Sequence, residues 1–270
     1  MTAAFSCEWF PSPAMLTSLT DLPLKKQAGE RVTVLTAYDY PTARLLDEAG
    51  VDLLLVGDSL GMVVLGLPDT TGVTLDMMRH HTAAVRRGVK RVPVISDLPF
   101  HTYDTPEQAL ASARLLMEAG ADAVKLEGGV AFIPQVRAIV QAGIPFVGHI
   151  GMLPQSVVLE GGYKKKGKTP AQAEQLIADA LALDAAGACA MVLESVVAEV
   201  ATEITRQVKA TTIGIGAGPG TDAQVLVTPD LIGSFPWFRP PFAKARADVA
   251  SEIQRAVKEW MTDVTAKPAP

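Results

Sequence analysis

The chain has 270 residues, a formal net charge of −5, 49% apolar residues and 20% charged residues. That balance excludes disorder as the main state, and the mild acidity excludes nucleic acid or an anionic membrane surface as the main partner. The longest uncharged stretch, Gln141 to Leu159, is broken by two prolines, three glycines and a histidine, so no membrane helix of about 18 or more apolar residues is expected.

From the N-terminus, Met1 to Thr20 carries no Lys or Arg and resembles neither a secretory signal nor an Arg-rich transit peptide. Pro11 and Pro13 mark residues 1–16 as a flexible extension. Two cysteines, Cys7 and Cys189, give no disulfide framework, and a reducing cytoplasm is the expected compartment. Residues 17–28 read as a short helix covering one end of the fold. After it, β-rich apolar runs recur at 32–36, 52–57, 92–96, 122–126, 145–150, 189–194, 211–215 and 224–227. Most are continuous, not alternating, as expected of parallel strands covered on both faces.

Between the runs lie helical patterns. Several end in Ala-Gly or Arg-Gly shortly before the next run, where glycine tolerates the left-handed conformation that closes a helix. Thr105-Pro106 and Thr169-Pro170 place a capping hydroxyl before a proline at the first helical position. Helices are predicted over 74–87, 109–117 and 171–183, and a last one near 243–261. The uneven repeat suits βα units and not a solenoid. An eight-stranded (β/α)8 TIM barrel is the predicted fold, with a doubly wound open sheet as the alternative. Residues 17–262 form one predicted domain, and 263–270 a C-terminal tail.

In a parallel barrel the active site lies at the C-terminal ends of the strands. There the second run ends in Gly57-Asp58-Ser59 and the third in Ser96-Asp97. The fourth carries Lys125 and Glu127, the fifth His149, and the sixth ends in Glu194-Ser195. Neighbouring strands lie about 4.8 Å apart. Two like charges at about 4 Å repel by roughly 4 kcal/mol at an effective dielectric of 20. Asp58, Asp97 and Glu127 converging there need protons, a lysine or a bound cation. The hard oxygen donors favour Mg²⁺, with Mn²⁺ as an alternative, over Zn²⁺. The plainer reading is that each carboxylate caps the following helix. Lys125 reads equally as a Schiff-base lysine, an anchor for a substrate carboxylate or a snorkelling strand residue. His149 reads as a pocket residue or a core histidine, and Glu194 as a general base or a helix cap.

Three further features are weaker. Gly214-Ile-Gly216-Ala-Gly218-Pro-Gly220 has the look of a dinucleotide fingerprint, but no long helix follows, so that assignment fails. Its glycines read as a close approach to a ligand or a tight turn. The basic stretch 163–168 reads as a solvated loop or a site for a polyanion. His80 and His81 are adjacent on a helix, point in different directions and make a poor metal site.

Seven blocks in this order resemble the ketopantoate hydroxymethyltransferase family: Leu35-Thr-Ala-Tyr-Asp-Tyr-Pro41, Val56-Gly-Asp-Ser-Leu-Gly-Met62, Asp97-Leu-Pro-Phe100, Val124-Lys-Leu-Glu-Gly-Gly129, Gly148-His-Ile-Gly-Met-Leu-Pro-Gln-Ser156, Gly161-Gly-Tyr-Lys164 and Ile213-Gly-Ile-Gly-Ala-Gly218. The resemblance covers about residues 17 to 250. It implies a barrel of the phosphoenolpyruvate/pyruvate superfamily, Mg²⁺ as cofactor and 5,10-methylenetetrahydrofolate as one-carbon donor. It also implies that Asp58 and Asp97 hold the metal with Glu127 close by, and that Asp58, Ser59, Asp97 and Lys125 contact the 2-oxo acid. By the same resemblance Glu194 accepts the proton and His149 lines the pocket. A homo-oligomer, often a decamer, is implied as well. The chain departs from the family where Ser195-Val-Val197 replaces the usual Cys-Val-Pro and Thr221-Asp-Ala-Gln224 replaces Cys-Asp-Gly-Gln. It departs again in a late block blurred into Pro240-Pro-Phe-Ala-Lys244.

The implied reaction moves a hydroxymethyl group to 3-methyl-2-oxobutanoate through a metal-stabilised enolate, giving ketopantoate for pantothenate biosynthesis. The alternatives are a metal-dependent 2-oxo-acid lyase of the isocitrate-lyase or phosphoenolpyruvate-mutase type, an aldolase using a Lys125 Schiff base, and a barrel that binds a 2-oxo acid without turnover.

Overall fold

Eight short strands, their alternate residues facing inward and outward, close this fold on itself. The computed structural model describes residues 18–157, 161–162 and 164–266; the expectations for residues 1–16, for Cys7, for Tyr163 and for 267–270 lie outside the described residues. The strands are β1 (Val32–Thr36), β2 (Leu53–Val56), β3 (Val94–Asp97), β4 (Ala123–Lys125), β5 (Phe146–Gly151), β6 (Ala190–Glu194), β7 (Thr211–Ile215) and β8 (Ala223–Leu226). They pair in parallel in sequence order, and β8 returns to β1, so the predicted barrel is the observed one and the open sheet is not. The helices are α1 (Leu22–Ala28), α2 (Tyr40–Ala49), α3 (Leu60–Val63), α4 (Leu75–Gly88), α5 (Pro106–Glu118), α6 (Ile133–Gln141), α7 (Pro170–Ala185), α8 (Ala198–Gln207), α9 (Thr228–Ile232) and α10 (Val249–Thr265).

Strand parity divides the core in two. Val34, Leu53, Leu55, Ile95, Ala123, Val147, Val192, Ile213 and Val225 face the axis and pack together. The alternate positions, among them Leu54, Val94, Val124, Phe146, Met191 and Leu193, join Met78, Leu116, Ile139 and Leu183 between sheet and helices. Both faces are dry, which explains the continuous apolar runs. Helix entry follows the sequence as well: the Thr105 and Thr169 hydroxyls accept hydrogen bonds from the amides of Gln108 and Gln172, each ahead of a proline.

Two boundaries move for stated reasons. The third strand begins at Val94, not at residue 92, because Pro93 has no N–H to give to the ladder. The last helix begins at Val249, not near 243, because the Asp248 side chain caps it by accepting from the Ser251 amide, and it runs on through Thr265.

The N-terminal end of the barrel is built for stability. Leu19 and Leu22 join the axial cluster from below. Lys26 Nζ lies 2.9 Å from Asp222 Oδ2, and Lys25 Nζ lies 3.6 Å from Asp52 Oδ1. The same acids hold strand starts together. Asp52, Asp122 and Asp222, each just before an even-numbered strand, accept the amides of Thr33, Val94 and Thr212 at 2.8, 2.8 and 2.9 Å. Leu22 is the plug of this end. Leu22→Ala is expected to cost about 2–5 kcal/mol, read as a lowered urea midpoint; an unchanged midpoint would show that α1 does not close the barrel.

Candidate active site at the C-terminal mouth of the barrel

The same parity that buries the axial apolar residues carries ionisable ones at the opposite end. Two residues beyond Ile95 stands Asp97; beyond Ala123 stand Lys125 and Glu127; beyond Val147 stands His149; beyond Val192 stands Glu194. All five line one cavity of about 460 Å³ together with Asp58 and Ser59, so the structure brings every sequence-predicted site residue to one mouth. Gly57 holds the inward position on β2. A side chain there would come within 2.9 Å of Ser59 Oγ. The next amide, of Asp58, donates to Asp97 Oδ2 at 3.1 Å.

Lys125 sits at the centre. Its Nζ is 3.1 Å from Asp97 Oδ2 and 3.2 Å from His149 Nδ1. Burial alone would lower its pKa, but the carboxylates of Asp97, Glu127 and Asp58 outweigh burial and hold it above its usual value. His149 is pushed well below its usual range by burial and by the Lys125 charge, so it is neutral. A neutral imidazole taking a hydrogen bond from Lys125 at Nδ1 carries its proton on Nε2. That Nε2 is 3.2 Å from Glu194 Oε2 but too poorly aligned for a hydrogen bond.

The acids are strained electrostatically. Burial, then the neighbouring Asp97 charge, raises Asp58 to about 7, against the pull of Lys125 and a hydrogen bond from Gln155. Glu127 is raised well above its usual value, first by burial and then by Asp58. Burial likewise raises Asp97, with Lys125 opposing. Glu194, with 15% of its side chain exposed, is raised by burial to about 8. It closes β6 beside Ser195, whose φ of 49° is a strained left-handed conformation for a residue with a side chain. Two backbone hydrogen bonds of 2.8 Å hold that turn: the Ser195 amide donates to the Ile215 carbonyl, and its own carbonyl accepts from Lys166.

Among the described residues Asp97 Oδ1 and Glu127 Oε1 are buried without a hydrogen-bond partner. Orphaned carboxyl oxygens of this kind fit a hard divalent cation, whose ligands are carboxylate oxygens. Among the described residues, however, no three His, Cys, Asp or Glu side chains form a ready-made metal cage. Lys125 and Gln155 interleave the acids: Gln155 donates from Nε2 to Asp58 Oδ2 at 2.7 Å and from its backbone N to Glu127 Oε2 at 3.0 Å. Its Oε1 accepts a hydrogen bond from Tyr103.

Gln155 and Tyr103 were not singled out by sequence reasoning. Gln155 lies in the Pro-Gln-Ser turn of a block that resembles the family, and that block was the available signal. Ser59 hydrogen-bonds Tyr38 Oη at 2.8 Å. The glycine-rich run turns out to seat protein side chains: at Gly216, with φ 62°, a Cβ would lie 2.8 Å from Phe242. His81 is used locally, its Nδ1 2.6 Å from the Tyr38 carbonyl.

Fold and site together define a (β/α)8 barrel with an acidic, lysine-centred mouth. The same fold is found in 2,3-dimethylmalate lyase, a PEP mutase/isocitrate lyase superfamily member, with a TM-score of 0.60, 20% identity, and 95% of this chain and 91% of that chain covered. Sequence comparison is more specific. Residues 17–270 match the family described as ketopantoate hydroxymethyltransferase. The chain is 51% identical over 249 residues to 3-methyl-2-oxobutanoate hydroxymethyltransferase of Moorella thermoacetica, covering 92% of this chain and 93% of that protein. It is 52% identical over 237 residues to a protein of that name from Thermus thermophilus, covering 87% of this chain and 91% of that protein. The chain belongs to the ketopantoate hydroxymethyltransferase family.

Gln155→Leu strips the Tyr103 hydroxyl, the Leu98 carbonyl and Asp58 Oδ2 of a buried partner. The expected cost is about 1–3 kcal/mol per orphaned group, measured by urea unfolding, and Tyr103→Phe should cost less. A second expectation concerns pH. Asp58 and Glu194 titrate near 7 and 8 when folded, against 3.8 and 4.5 ordinarily. The folded protein therefore binds more protons than the unfolded chain between about pH 4 and 8, and stability falls as pH rises through that window. Calorimetry should give a lower Tm at pH 8 than at pH 6, with a smaller difference when Mg²⁺ is present. A Tm independent of pH and of Mg²⁺ would contradict the acid cluster described.

Proposed function

We propose that this protein transfers a hydroxymethyl group to 3-methyl-2-oxobutanoate, giving ketopantoate. In this reading 5,10-methylenetetrahydrofolate is the donor, and Mg²⁺ is held by Asp58 and Asp97 with Glu127 close by. The observation that carries the proposal is the pair of buried carboxyl oxygens without a hydrogen-bond partner among the described residues, one on Asp97 and one on Glu127, two residues that line the same cavity as Asp58. When bound, the cation supplies Lewis-acid stabilisation of charge that develops on the keto oxygen.

The remaining work falls to side chains. Lys125 offsets the negative charge of the substrate carboxylate, a role its raised pKa supports. Ser59, held by Tyr38, presents a hydroxyl to the same polar end. Val192, Ile215 and Val225 offer an apolar wall to the branched carbon chain and exclude water from it. Glu194 takes the proton from carbon 3, which leaves that carbon able to attack the methylene unit. Both C–N bonds to that unit break, water supplies the hydroxyl group, and the carbon-3 proton and the second proton of water end on the two nitrogens of the departing tetrahydrofolate. A carboxylate raised to about 8 by burial is a far better base near neutral pH than an ordinary glutamate. The neutral His149 lies beside it. Lys125 does this work as an ammonium, which speaks against a Schiff base.

The cavity of about 460 Å³ is within the size range of sites for small-molecule ligands. The apolar stripe of Ile253, Val257, Trp260 and Val264 on α10 supports a homo-oligomer, with a decamer as the family-based expectation. Among the described residues no helix is long and apolar enough to cross a membrane. A cytoplasmic setting is part of the same proposal.

Glu194→Gln is expected to slow exchange of the carbon-3 proton with deuterated water by about 10²–10⁴-fold, while the Kd for 3-methyl-2-oxobutanoate changes little. Asp58→Ala and Asp97→Ala should lose the Mg²⁺-dependent part of exchange. Proton NMR of the substrate reads both, and full exchange by Glu194→Gln would remove Glu194 from the base role.

A further inference from the structure

One buried acid at the mouth has no part in the chemistry above. The ionisable positions cluster on β3 to β6. The β7, β8 and β1 side presents Ile215, Val227 and Thr36, and beyond β8 it presents Asp230. Asp230 is 5% exposed and lines the cavity. It sits on α9, whose start is fixed to the top of β1: Thr228 N donates to Thr36 Oγ1 at 3.0 Å, and Thr228 Oγ1 donates to the Thr36 carbonyl at 2.6 Å. The Asp230 side chain has neither a hydrogen bond nor an ion pair among the described residues. Burial raises it to about 6; Arg239, on an exposed loop, opposes this only in part.

A carboxylate this deep without donors is costly unless something else supplies them. The same wall suggests what does. Phe235, Phe238 and Phe242 line the same cavity as Asp230, and Gly216 leaves room for the Phe242 ring. A lone carboxylate beside aromatic rings suits a flat heterocycle that offers two adjacent N–H donors, because a carboxylate accepts such a pair with both oxygens. The 2-oxo acid is a poor occupant, since its own charge repels Asp230 and its match is Lys125.

We propose that Asp230 anchors the pterin ring of the one-carbon donor, its two oxygens accepting from the 2-amino group and N3–H of the 2-amino-4-oxopyrimidine edge, with the three phenylalanines flanking the ring. This rests on the reading that the donor is a reduced folate. It puts the two reactants on opposite sides of the mouth: the 2-oxo acid on the β3–β6 side and the heterocycle on the β8–β1 side.

The test uses the full chain with Mg²⁺, and its first readout is binding. By calorimetry, Asp230→Asn should weaken tetrahydrofolate binding by about 10- to 100-fold. The Kd for 3-methyl-2-oxobutanoate, and carbon-3 exchange without folate, should stay within about two-fold of the unaltered protein; that retention shows the variant folded and its acid cluster intact. A 2-desamino analogue of tetrahydrofolate should lose the same factor on the unaltered protein and lose nothing more on Asp230→Asn. Tetrahydrofolate binding to Asp230→Asn as tight as to the unaltered protein overturns the assignment and leaves the proposed reaction standing. An unaltered protein that binds the 2-oxo acid but not tetrahydrofolate overturns both.

Discussion

A single ammonium among four carboxylates holds this site together. Lys125 is contributed by an axis-facing position of β4, and Asp58, Asp97, Glu127 and Glu194 all act on its neighbourhood. The group is short of positive charge: one lysine and a neutral histidine face four acids, and burial removes the water that would otherwise soften their repulsion. Buried ion pairs of this kind contribute little to stability relative to an apolar core. Their persistence at one end of a barrel whose other inward positions are Val, Ile and Leu argues that the end is kept for chemistry. The deficit of positive charge is also what makes a divalent cation welcome there.

His149 is the quiet element in that arrangement. Because Lys125 donates to Nδ1, the ring is fixed as the Nε2–H tautomer, with that proton directed toward Glu194 without a well-aligned bond. Glu194 is therefore neither neutralised by a cation of its own nor tied down, and its strained neighbour Ser195 is held by backbone alone. A tight Glu–His pair would remove this freedom.

How much of this was legible in the sequence follows from where each residue sits. The barrel and its charged end were readable because β-strands impose a period of two: an apolar run that ends in an acid or carries a lysine near its end specifies both a strand and a rim position. Asp97, Lys125, His149 and Glu194 are all of this kind. Gln155, Tyr103 and Asp230 are not. They lie on a 3-10 turn, a loop and a helix of five residues, where no periodicity marks a side chain as inward, and two of them are uncharged. The interleaving of Lys125 and Gln155 among the acids was illegible for a related reason, since strand order gives neighbours but not which side chain reaches between them. Local chemistry also shifted the element ends, through Pro93 at β3 and Asp248 at α10.

The two ends of the barrel solve opposite problems with the same residue type. At the bottom, Asp52, Asp122 and Asp222 are spent on strand amides, and Lys25 and Lys26 neutralise two of them. Each of these acids has a partner, which is what a stabilising device requires. At the top, Asp97 and Glu127 each keep an oxygen without a hydrogen-bond partner among the described residues, and the Glu194 and Asp230 side chains line the same cavity. Satisfied aspartates close a fold, and unsatisfied ones wait on a ligand. A common barrel fixes where a site lies but not what it does. A barrel leaves its chemistry to the side chains at its mouth, and here the acids without a hydrogen-bond donor among the described residues stand in two places of one cavity, one around Lys125 and one at Asp230 on α9.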